Sequence, residues 1–73
     1  MRTNSRRQTI PIFIEFAGQK MRSELFATEA ERSTDISLKV REEGWKPYRV
    51  RFDDKRPAWI VSSLVYREVH APR

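Results

Sequence analysis

The sharpest alternation of apolar and polar positions lies in residues 48–66. Tyr48, Val50 and Phe52 alternate with Arg49 and Arg51, the period of two expected of a strand with one buried and one wet face. Asp53 and Asp54 break the run, and Lys55, Arg56 and Pro57 complete a polar turn, because Asp bonds nearby backbone and proline has no N–H to give a ladder. In the run AWIVSSLVY at 58–66, Trp59, Val61, Ser63 and Val65 fall on one face, and Ile60, Ser62, Leu64 and Tyr66 on the other. Apolar groups on both faces predict a central strand or one covered on both sides. The short connection predicts an antiparallel hairpin.

A second pair of strands is read near the start of the chain. In 9–16, Ile10, Ile12, Ile14 and Phe16 line one face, and Pro11, Phe13 and Glu15 the other. Pro11 belongs at a strand start or an edge. Ala17, Gly18 and Gln19 form a turn, with Gly18 free to take positive φ. Residues 20–27 return as a strand in which Met21, Ser23 and Leu25 alternate with Arg22, Glu24 and Phe26. The weaker patterning predicts a shorter or edge strand.

The segment 28–44 satisfies two templates. Thr28 followed by Glu31 is a capping-box pattern, and Glu29 and Glu31 suit the positive end of a helix dipole. Gly44 fits the stop position. A helix over 29–43 follows, with Ala30, Ser33, Ile36, Ser37 and Val40 facing inward. Against it, Ile36, Leu38 and Val40 alternate with Ser37, Lys39 and Arg41, and Glu42 and Glu43 sit where a helix prefers cations. The competing pattern is a capped turn at 28–33 and a strand at 35–42. The expected fold is therefore α+β: strand, strand, helix, strand, strand, a small antiparallel sheet with one helix packed on one face. The alternative is an all-β five-stranded barrel of the SH3 or Sm type. The expected core is Ile12, Ile14, Phe16, Leu25, Val40, Val50, Phe52, Trp59 and Val61.

Length and composition narrow the functional classes. The 73 residues suffice for one domain, read as 9–69, between a basic arm at 1–8 and a tail at 70–73. So small a core gains from oligomerisation, and a homodimer is expected. The chain has no cysteine and a single histidine, His70, so a thiolate or histidine-rich metal site is excluded, and no cofactor is expected. A serine triad needs a held histidine, and the pairs Asp53–Asp54 and Glu42–Glu43 read as solvated charges. The two glycines provide no phosphate loop. An enzyme is not expected. No apolar run approaches a membrane span or a signal peptide, which points to a cytoplasmic protein.

Charge supplies the positive indication. The formal net charge is +5, and the basic residues concentrate at the two ends: residues 1–10 carry +3 and 45–73 carry +4, while 28–44 sum to −2. Arg49 and Arg51 on one strand face stand about 7 Å apart, near the spacing of successive phosphates along a strand. Lys46, Lys55, Arg56 and Arg67 extend the stripe, Arg6 and Arg7 lie in the arm, and Trp45 offers either core packing or a base-stacking platform. The expectation is a small basic nucleic-acid-binding protein using this arginine-rich hairpin, for which a two-stranded ribbon entering the major groove is one geometry. The alternative is a protein-interaction module that self-associates through a sheet edge or through a face of Ile60, Leu64 and Tyr66.

Overall fold

The computed structural model describes residues 9–67. The arm at 1–8 with Arg6 and Arg7, and the tail at 70–73, lie outside the described residues. The elements run β1 (Ile10–Phe16), β2 (Gln19–Ala27), α1 (Ser33–Glu42), β3 (Pro47–Asp53) and β4 (Ala58–Ser63), so the strand–strand–helix–strand–strand order read from the sequence is present. The four strands form one sheet in the order β2-β1-β4-β3. It is not closed into a barrel, and residues 35–42, which the barrel alternative needed as a strand, are helical.

The two hairpins are antiparallel, but they join through a parallel pair: Ile12 lies opposite Trp59, and Ile14 opposite Val61. The sheet is therefore mixed rather than purely antiparallel. The physical reason is the crossover: α1 carries the chain over one face from the β2 edge to the β3 edge, and β4 returns into the gap beside β1. This makes β1 a central strand in spite of Pro11. The proline sits at its second residue, beside a register shift between Pro11 and Phe13, where a missing N–H costs least. The final hairpin strand is central, as its apolar groups on both faces indicated.

Residues 16–19 turn in two residues, with Ala17 at φ 53° and Gly18 at φ 80°. Paired positive φ values match the twist of a two-residue hairpin. Gly18 meets no atom within 4 Å of where a Cβ would stand, and its conformation suits glycine. Ala17 does not share that freedom, because a left-handed L-residue costs about 1–2 kcal/mol. Ala17→Asn is therefore expected to raise stability by about 0.5–1 kcal/mol, a rise of several degrees in the thermal midpoint. A lower midpoint would show that the turn takes another form.

The helix begins later than the sequence pattern predicts. The Thr28 N–H donates to the Glu31 carboxylate (2.8 Å) and the Glu31 N–H to the Thr28 carbonyl (3.2 Å). The apparent capping box thus closes a separate turn. The helix is capped four residues on, where the Arg32 N–H donates to Asp35 Oδ2 (2.9 Å). Glu31 also accepts from Lys39 Nζ (2.9 Å), and this bond, with the Thr28 N–H, holds its carboxyl below the ordinary range. Lys39 reaches on to the Phe26 carbonyl, fastening the helix to the end of β2. Ile36 and Val40, one turn apart, are fully buried, while Leu38 is exposed.

The helix ends in a Schellman arrangement. Gly44 takes φ 100°, its N–H donates to the Arg41 carbonyl (3.0 Å), and the Trp45 N–H donates to the Val40 carbonyl (3.1 Å). In this motif the residue after the glycine packs back onto the last turn. Trp45 is accordingly 5% exposed and joins Ile10, Ile12, Ile14, Ala27, Ile36, Val40 and Val61 in the core. Leu25, Val50 and Trp59 pack against that core in part. Phe16 is half-buried.

Phe52, expected inside, is 44% exposed. It lies on the correct face, opposite Trp59. However, ten helical residues span only about 15 Å, less than the roughly 23 Å of a seven-residue strand. The end of the sheet that α1 leaves open is a shallow apolar groove lined by Ile10, Phe52, Pro57 and Trp59, with Glu29 on its rim. No described helix is long and apolar enough to cross a membrane.

Candidate nucleic-acid interface

The pairing register decides which side chains share the face opposite α1. Ile10, Ile12 and Ile14 point to the helix, so Pro11, Phe13 and Glu15 point away. Arg22 lies opposite Phe13 and Lys20 opposite Glu15. Across the parallel pair, Phe13 meets Ile60 and Glu15 meets Ser62. Beyond them, Ile60 meets Arg51 and Ser62 meets Arg49. Two rows therefore cross all four strands: Arg22, Phe13, Ile60, Arg51, and Lys20, Glu15, Ser62, Arg49. Cations stand on both edge strands, an aromatic ring and an isoleucine sit between them in one row, and no described element covers the face.

The second row is the polar one. Glu15 accepts from Arg51 (3.2 Å) through one carboxylate oxygen and from the Ser62 hydroxyl (3.2 Å) through the other. Arg51 is thus already engaged by an acid of its own sheet, which departs from the free cation expected of it. Lys20, Arg22 and Arg49 have no carboxylate within 4.0 Å among the described residues. Lys20 Nζ lies 5.8 Å from the Phe13 ring centroid. The Arg22 guanidinium carbon lies 5.7 Å from the Phe13 centroid and 5.4 Å from that of Phe26, in the range of cation–π contacts.

The remaining residues expected at the site divide clearly. Arg49 and Arg51 do share one face. Lys55 and Arg56 are exposed in the turn between β3 and β4, where the Lys55 N–H donates to Asp53 Oδ1 (3.0 Å). Lys46 is exposed just ahead of β3, with its backbone tied to Ser63 and Leu64. Arg67 pairs with Glu43 (3.5 Å) beside the helix end, away from the open face. Trp45 is buried, so its ring packs and offers no stacking surface. Tyr48 sits at the register shift between Pro47 and Arg49 and is exposed, rather than continuing the inner face of Val50.

The supposed interface of Ile60, Leu64 and Tyr66 is not one surface. Ile60 is 5% exposed at the middle of the open face. The strand stops at Ser63, whose hydroxyl donates to the Val65 carbonyl (2.7 Å) and turns the chain. Tyr66 then packs edge-on against Trp45 (5.3 Å) and Phe16 (5.9 Å), on the helix side. Nor is β3–β4 a free ribbon, since β4 is paired on both edges.

Sequence reasoning did not place Phe13, Phe26, Lys20 and Arg22 in the site. Their signal was present: they are the polar-side positions of the first two strands, and three of them are aromatic or arginine. No family model, characterised protein or solved structure matches the chain.

Proposed function

We propose that the protein binds nucleic acid through the open face of its sheet. The observation that carries this reading is the arrangement of Lys20 and Arg22 on one edge strand and Arg49 and Arg51 on the other, around the Phe13 ring. Phosphates meet cations at either rim, and the half-buried Phe13 ring between them accepts a base face. Guanidinium suits the task because its planar fork bonds phosphate oxygens and also lies flat on rings. The described residues carry eleven cations against nine carboxylates, a net of +2, so attraction is local to this face rather than a property of the whole body. Arg6 and Arg7 in the arm add charge that reads no sequence.

The test is fluorescence anisotropy with labelled oligonucleotides at about 50 and 200 mM salt. Three phosphate contacts give a salt slope near −2 and a loss of roughly twenty-fold in affinity across that range. Reversal of Arg22 and Arg49 together to Glu is expected to remove measurable binding with the circular dichroism spectrum unchanged. Arg51 is the poorer target, because Arg51→Glu would set a second carboxylate against Glu15 and disturb the sheet itself. Binding that ignores the reversal would exclude this face, and no binding to any oligonucleotide would favour a protein partner.

A further inference from the structure

We infer that the nucleic acid taken by this face is single-stranded, with bases stacked on Phe13 and Phe26. This rests on the reading that the open face binds nucleic acid, and it adds which form and which contacts. The first argument is width. Four strands at about 4.8 Å spacing place the edge-strand axes about 14 Å apart before any side chain is added. The major groove is about 12 Å wide and admits a helix or a two-stranded ribbon. Here the ribbon is not available, because β4 is hydrogen-bonded to β1 as well as to β3. A duplex can only lie on the rims, where its phosphates reach the cations and its bases never reach the centre.

The second argument is what the centre offers. Phe13 is on a central strand, one strand spacing from β2 and two from β3, with Ile60 beside it. Phe26, on β2, is 43% exposed. The planar guanidinium of Arg22 lies against both rings, at 5.7 and 5.4 Å. A flat, polarisable group is therefore already accommodated between them. An unpaired base has the same shape requirement and a larger face, and its arrival frees Arg22 for the phosphate that follows. Base–aromatic stacking tolerates sequence, since every base has a π-face. A splayed strand crossing from rim to rim meets cation, ring and cation in that order, which a duplex surface does not reproduce.

The experiment uses the full chain, short labelled deoxy- and ribo-strands, and the duplexes made from them, under one salt condition. Three proteins are compared: wild type, Phe13→Leu, which keeps an apolar group but has no π-face, and Phe13→Trp, which keeps one. Circular dichroism confirms that each is folded. Either single strand is expected to bind at least ten-fold tighter than its duplex. Phe13→Leu should lose about ten-fold on single strands, within the range for loss of one stacked base, with the salt slope unchanged, and Phe13→Trp should retain wild-type affinity. Duplex binding as tight as single-strand binding, or Phe13→Leu equal to wild type, overturns the inference while leaving nucleic-acid binding by the cations standing. No binding to either form overturns the parent reading and this inference with it.

Discussion

Trp45→Ala is expected to cost about 3–5 kcal/mol, the range for truncating a buried aromatic. At roughly 0.05–0.15 kcal/mol per residue, a chain of 73 residues holds only about 4–11 kcal/mol in total. The variant should therefore be substantially unfolded in dilute buffer, or reach its urea midpoint far below that of wild type. The size of the effect follows from two roles of one ring. It packs in the core with Val40, and it supports Tyr66 at 5.3 Å; the backbone N–H that closes the helix terminus survives either substitution. Trp45→Phe retains most of the packing, and should recover more than half of the loss. A Trp45→Ala protein less than about 1 kcal/mol below wild type would mean that the ring lies on the surface.

Adjacent residues of β1 should respond in opposite ways. Ile14 is 0% exposed between the helix and Val61, so Ile14→Ala removes buried methylenes and leaves a cavity, at about 2–5 kcal/mol. Phe13 faces away from the helix, and Phe13→Ala should cost less than about 1.5 kcal/mol, the scale of substitutions outside the main core. Chemical denaturation of both variants gives the comparison directly. A costly Phe13→Ala beside a cheap Ile14→Ala would show that the strand is inverted, which would place the cations of β2 and β3 under the helix and end the functional reading.

Much of the fold can be read from local pattern. Ile10, Ile12 and Ile14 on one face of their strand, the turn at Gly18, and Val50 facing Val61 all follow from a period of two and from turn chemistry. The helix start was obscured because Thr28–Glu31 has the residues of a capping box, whereas the actual N-cap, Arg32, is not a capping residue type, and only packing decides that the first closes a turn. Gly44 was legible as a stop, and core packing is one of two fates the sequence allows its neighbour; the Schellman end decides between them by turning the following side chain inward, which takes Trp45 away from any ligand. Phe52 lies on the expected face and is exposed for want of helix length, a quantity fixed by where the helix begins.

The candidate site was half legible for a related reason. Arg49 and Arg51 fall on one side of a single strand, so adjacent sequence suffices to group them. Phe13 and Arg22 belong to a different hairpin, and nothing local says that the two hairpins present their wet sides together. That depends on β4 inserting beside β1, a pairing between residues such as Ile14 and Val61 that are far apart in the chain. The Glu15–Arg51 ion pair depends on the same insertion, so an arginine that looks free in the sequence is partnered in the structure.

That insertion also governs how the molecule comes into being. The seam at the middle of the sheet joins the first described strand to the last, so closing it loops the 41 residues between Phe16 and Ala58, an entropic cost that local hairpins avoid. Folding should be slow for so short a polypeptide, in the millisecond-to-second range of topologies rich in distant pairings. During synthesis the edge of β1 that β4 later takes must wait unpaired until the segment through Ser63 has left the ribosome.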